Sequence, residues 1–394
     1  MMIPAYKETM LIHVDEDHHP RPQGNPQDMS IKKILAIDQG EYPGGAEMFF
    51  SELLTRLDHG YEIHLLCGAY KKYQDRYKGS SVKIHELDIP KLRPIGIRTY
   101  KKYRETQKKL EKFIREIKPD MIISNTARAH MLISSPAKKL NLPLVWMAHD
   151  RTFPKLLLKY FLKYPDIIIS CSKFVQGYYR GAYGKRNKIK FEVLYPFGTD
   201  AEQVEKLSTV RKKKIIGMVG KFIPWKGQDI FSRAVKEIKQ KHPEYKFKII
   251  GSPYRGNAES EKYSNDCRSL IREFNLESSL TIRESVPDVL REIAQWEILI
   301  HCSREPEPLG RVVLEGMAAG CAVIASALGG PCEIIRTEET GLLTVPDEEN
   351  LEKNILKLIS NPKMRKNISR KGRKEILKKY LWKNTISRFK ELIS

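Results

Sequence analysis

Long apolar runs are missing from this chain. The longest candidates, the interrupted Leu156–Leu162 and the short Ile167–Ile169, fall well below the roughly 20 residues that cross a bilayer as a helix. Residues 1–30 lack the charged start and apolar centre of a signal peptide. Polar and Pro-rich, they read as a disordered tail, and Met29 reads as an alternative start just ahead of the first strand. Cysteine is sparse: six residues, at 67, 171, 267, 302, 321 and 332, form no C-x-x-C pair. That argues against a zinc ribbon or disulfide frame and predicts reduced core thiols in a cytoplasmic protein. Carboxylates with the pattern of a metal site are lacking too, so neither a metal nor a cofactor is expected. Acid is short, with 48 Asp and Glu against 70 Lys and Arg and a net charge of +22. A basic nucleic-acid-binding protein would account for that charge, but no helix-turn-helix, zinc-finger or RNA-stacking motif accompanies it.

What is present is enough apolar residue, 41% of 394, for two cores. Apolar runs alternate with helical patterns, as in a doubly wound α/β fold with parallel sheets. Strands are expected at Lys33–Asp38, Glu62–Cys67, Val82–His85, Met121–Ser124, Leu144–Ala148, Ile167–Ser170 and Lys190–Leu194. A second set follows at Lys214–Val219, Lys246–Gly251, Leu280–Ile282, Glu297–His301 and Ala322–Ala325.

Chemistry concentrates in the run from Glu305 to Gly320. Glu307 lies in a Pro/Gly-rich loop just after the strand ending at His301, and Glu315 lies inside the helix which that loop opens. Gly310 leaves backbone N–H groups free to meet anionic oxygens, helped by the helix dipole. Glu315 sits among Val312, Val313, Leu314, Met317 and Ala318, and a carboxylate in so apolar a segment needs a partner. Elsewhere, Gly44-Gly45 makes a turn into a helix after the first strand; it suits either an approaching phosphate or an ordinary tight turn. His149 follows the strand Leu144–Ala148 at the sheet's carboxyl edge, where it is either a ligand contact or a structural histidine. Lys221 and Lys226 share one loop and can converge on a diphosphate, although two lysines in so basic a chain also meet by chance.

The Glu307–Glu315 segment resembles the signature of the family 4 glycosyltransferases, retaining enzymes of the GT-B fold with two Rossmann-like domains facing each other across a cleft. The resemblance runs from about residue 32 to the end and is most specific over 301–345. It implies that Glu307 lies beside the transferred sugar and that the amides of Leu309, Gly310 and Arg311 hold sugar hydroxyls and phosphate. Glu315 would bind the donor ribose, His149 would contact the sugar, and Gly44-Gly45, Lys221 and Lys226 would face the diphosphate. Lys221 stands where the family has Arg, which keeps the charge and loses the bidentate fork. Gly329-Gly330 would form a tight loop beneath the sugar, or a purely structural turn. The run Tyr195–Asp200 resembles the family's hinge, with Phe197 in place of its usual Asn. The implied domains are 31–196 on the acceptor side and 197–379 on the donor side, with 380–394 crossing back.

The resulting expectation is a hexosyl transfer from a nucleotide sugar to a lipid-linked, polysaccharide or other glycan acceptor. A GT-B phosphorylase and a nucleotide-sugar epimerase share the architecture and stay open. Between Lys91 and Lys118, eleven Lys and Arg stand against three Glu, a net of +8. With the amphipathic Phe153–Lys163, that stretch fits either an anionic membrane surface on the inner face or a solvated helix.

Overall fold

The computed structural model describes residues 32–39, 44–57, 60–88, 97–151, 158, 165–184, 188–284, 286 and 288–394. The tail 1–30, residues 91–96 of the basic stretch, and all of 153–163 but Leu158 lie outside the described residues.

Two parallel sheets carry the fold. The first contains β1 (Lys32–Ile37), β2 (Tyr61–Cys67), β3 (Lys83–Glu86), β4 (Met121–Asn125), β5 (Leu144–Ala148), β6 (Ile167–Ser170) and β7 (Lys190–Val193). Their order is β3-β2-β1-β4-β5-β6-β7. The second contains β8 (Lys213–Val219), β9 (Lys246–Ile250), β10 (Leu280–Arg283), β11 (Trp296–His301), β12 (Ala322–Ser326) and β13 (Leu342–Thr344), in the order β10-β9-β8-β11-β12-β13. Strands β4, β5 and β12 are buried along their whole length. Helices cover both faces of such a sheet, which is why these segments read as unbroken apolar runs without alternation. Leu342–Thr344, not among the expected strands, is a short strand beside β12.

Strand order reverses between β1 and β4 in the first sheet and between β8 and β11 in the second. At such switch points the following helices diverge, and a crevice opens beyond the strands' carboxyl ends. Asp38, Asn125 and His149 follow or end β1, β4 and β5 there; Gly220 and Cys302 follow β8 and β11.

The final helix, Trp382–Ile393, packs on the first sheet's side of the molecule although it follows the second in sequence. The Trp382 ring stacks on Phe49 of the helix Gly45–Leu57, centroids 5.6 Å apart. Phe389, Leu392 and Ile393 join Ile34, Phe50 and Leu53 in one core. Five cysteines are buried free thiols, and Cys332 is exposed.

Candidate functional site

The second half's site is built around Glu307. Its Oε1 accepts from Lys226 Nζ at 2.5 Å, and its Oε2 accepts from His301 Nε2 at 2.5 Å and from Ser303 Oγ at 3.0 Å. Burial by itself would raise this carboxyl; the Lys226 ammonium, followed by His301, outweighs it and holds the group well below its ordinary 4.5. Glu307 is therefore a fixed anion. Two glycines seat the loop: Gly330 N–H donates to the Glu307 carbonyl at 2.8 Å, and a Cβ on Gly329 would lie 2.4 Å from that same carbonyl oxygen.

Gly310, with φ +82°, is the N-cap of the helix Arg311–Ala318, and such a left-handed position favours glycine. The first amides of this helix lack intrahelical acceptors. One turn on, Glu315 has its carboxyl raised by burial, opposed by the positive charges of Arg311 and Lys226. Lys226 thus acts on both glutamates.

Arg311 crosses the cleft. Its Nη1 donates to the carbonyl of Gly45 at 2.7 Å, while its Nη2 lies 3.9 Å from Glu315 Oε1. Its positive charge also reaches His149, whose imidazole is pushed down to about 4 by burial first and by Arg311 second. His149 is neutral near neutral pH, with Nε2 2.7 Å from Asn125 Oδ1. Alongside, Ser172 Oγ donates to the Pro308 carbonyl at 2.6 Å. Glu333 accepts the amides of Lys173 and Phe174 at 2.8 and 2.7 Å, a carboxylate from the second half capping a helix of the first.

Residues 199–375 match the family model described as glycosyl transferases group 1, and residues 43–197 match glycosyltransferase family 4. An uncharacterized glycosyltransferase of Methanocaldococcus jannaschii is 30% identical over 378 residues, covering 91% of this chain and 97% of that one. The chain belongs to the family 4, group 1 glycosyltransferases. A mannosyltransferase of Corynebacterium glutamicum, described as GDP-mannose-dependent and acting on a monoacylated phosphatidylinositol monomannoside, is 25% identical over 236 residues, 55% of this chain and 59% of that one. Anabaena HepE, solved in complex with UDP, superposes with a TM-score of 0.75 at 22% identity, covering 92% of this chain and 99% of HepE. The architecture is the GT-B fold.

The glycosyltransferase brings together Glu307, Lys226, Glu315, Arg311, Gly45 and His149 through the contacts just given. Lys221 places its Nζ 5.5 Å from the centre of the Tyr254 ring. The Gly44 amide donates to Glu47 Oε2 at 2.9 Å, so the Glu47 carboxylate caps its own helix and takes up that N–H. Sequence reading missed His301, Ser303, Asp38, Asn125 and, as a cap, Glu333. For Asp38 and Asn125 a signal existed, since both are polar residues at the carboxyl ends of apolar strands; nothing local distinguishes Glu333.

Proposed function

We propose that this glycosyltransferase is a retaining hexosyltransferase. It takes a sugar from a nucleotide diphosphate-sugar, used as substrate with no cofactor, and passes it to a lipid-linked, polysaccharide or other glycan acceptor. The observation that carries this reading is the Glu307–Lys226 pair at the mouth of the β8/β11 crevice, facing Arg311, Gly45 and His149. An ammonium has three donors. Lys226 can therefore hold Glu307 with one and a leaving diphosphate with another. The amides at Leu309, Gly310 and Arg311 add donors where phosphate charge develops, Glu315 takes the ribose, and Lys221 supports the diphosphate from the cleft's rim. The bond from the sugar's anomeric carbon to the diphosphate breaks, the acceptor oxygen bonds on the face that the diphosphate leaves, and its proton passes to a phosphate oxygen. Glu307 stabilises the positive charge on the sugar between those events. The UDP complex of HepE and the GDP-mannose dependence of the C. glutamicum relative support a nucleotide-sugar donor.

The test is turnover on a panel of uridine and guanosine diphosphate sugars with simple glycan acceptors, with the product's anomeric configuration read by NMR. Retention of configuration is expected. Glu307→Ala should depress turnover, and Glu315→Gln should raise the donor KM more than it slows the reaction. Inverted product would overturn the retaining mechanism, and sugar 1-phosphate formed from inorganic phosphate would replace the transferase with a phosphorylase.

A further inference from the structure

A buried polar chain runs behind His149, beyond the groups assigned above. Tyr77 OH donates to Tyr73 OH at 3.0 Å, Tyr73 OH donates to Asp38 Oδ2 at 2.6 Å, and the Gln39 amide donates to Asp38 Oδ1 at 2.7 Å. Asp38 is fully buried, and Asn125 Nδ2 donates to its Oδ2 at 3.0 Å. An ionised carboxylate only accepts hydrogen bonds. Asn125 must then turn its NH2 to Asp38 and its carbonyl oxygen to His149, where Nε2 lies 2.7 Å away. That oxygen only accepts, so Nε2 must carry the proton, and in a neutral ring Nδ1 is left with the lone pair.

We propose that Asp38 acts through Asn125 to hold His149 as the Nε2–H tautomer, presenting Nδ1 as a hydrogen-bond acceptor to a hydroxyl of the bound sugar. Asp38 is on this view a positioning residue, and its kinetic effect rests on the nucleotide-sugar reading above. A second observation points the same way. Thr126, directly after Asn125, has φ +70°, a conformation seldom taken by a β-branched residue and found where a fold over-determines a functional turn. The sharp step from β4 into the helix Thr126–Lys139 aims Asn125 between its two partners.

The relay is complete only with Asp38 ionised. Burial, and then the negative charge of Glu47, raises that carboxyl to about 7; Tyr73, Tyr77 and Cys67 are the other titratable groups acting on or feeling it. A measurement at pH 8.5 therefore reads the set state. The full chain, labelled with 15N-histidine, is examined by two-bond 1H–15N correlation, with His149 identified by its loss in His149→Gln. The wild type should show Nε2–H. Asp38→Asn, which offers an amide donor toward Asn125, should turn Asn125 over and convert His149 to Nδ1–H. Turnover per unit of free donor, kcat/KM, should then fall about tenfold, the value of one neutral hydrogen bond, with no loss of melting temperature. An Nδ1–H wild type, or an unchanged tautomer in a folded Asp38→Asn, overturns the relay. Should Asp38→Asn fail to fold, Asn125→Ala, which should release His149 to a mixture of tautomers, decides together with the wild-type spectrum. Tautomers behaving as expected without turnover on any nucleotide sugar would sink the sugar-transfer reading and leave the relay standing.

Discussion

Arg311, in the second half, donates through Nη1 to the carbonyl of Gly45, in the first, at 2.7 Å. This bond spans the cleft beside His149 and Glu315, so one guanidinium reports on closure and on the charge of both groups. Arg311→Ala should remove about 1 kcal/mol of interaction at this half-exposed position, roughly fivefold in donor KM. Small-angle scattering should show a more open chain in the variant. An unchanged KM with an unchanged scattering profile would mean that this contact does not help to hold the donor site closed.

Glu307 makes acid stability informative. Its folded carboxyl lies below the ordinary 4.5, so its stabilising contribution is fully present above about 4.5 and is lost as pH falls through the acid range toward the folded value. Glu307→Gln should be less stable than wild type at pH 7, and the gap should narrow between pH 5 and 3. Melting temperatures of the two proteins across that range check it. A gap independent of pH would assign the loss to packing instead of to the Lys226 pair.

Gly330 has φ −55° and ψ −38°, which alanine adopts without strain, so Gly330→Ala isolates the steric question. Its new Cβ would lie 2.4 Å from Leu309 Cα and 2.6 Å from the carbonyl oxygens of Leu309 and Pro308. Backbone cannot yield as a side-chain end can, and a cost of about 1–3 kcal/mol is expected, with turnover falling because the Glu307 loop moves. A variant with wild-type melting temperature and turnover would show that the loop has slack.

The helix Ile97–Ile117 buries Leu110 and Ile114 and exposes Lys101, Lys108, Lys109 and Lys112. We infer that its basic face associates with anionic lipid. Reversing Lys101, Lys108 and Lys109 to Glu should weaken binding to phosphatidylserine-containing vesicles, each position being worth about 1 kcal/mol at low salt, and the difference should fade at high salt. Equal binding to neutral and anionic vesicles would remove the membrane role.

Much of the frame is legible in the primary structure. Leu144–Ala148 and Ile167–Ser170 have the expected bounds, and the other expected strands differ by one residue at one end or both, because a strand buried on both faces shows itself as an apolar run. The three-residue β13 is too short to give such a run. Glu307 and Glu315 were legible as a motif, since their spacing and the Pro/Gly loop lie within one stretch of chain. Their partners were not: Lys226 is 81 residues from Glu307, and the Glu333 cap lies 160 residues from Lys173.

By itself, then, the order of residues determined two parallel α/β halves, the family and the acids at the cleft, because local periodicity and a contiguous motif carry that information. Only the tertiary structure decided that Lys226 pairs with Glu307 while Lys221 lies over Tyr254, that Arg311 reaches Gly45, and that Asp38, Asn125 and His149 form one chain. The reason is topological. Strands β1, β4 and β5 become neighbours only when the sheet assembles in its order, which hydrogen-bonds Asn125 to Asp38 across 87 residues of sequence.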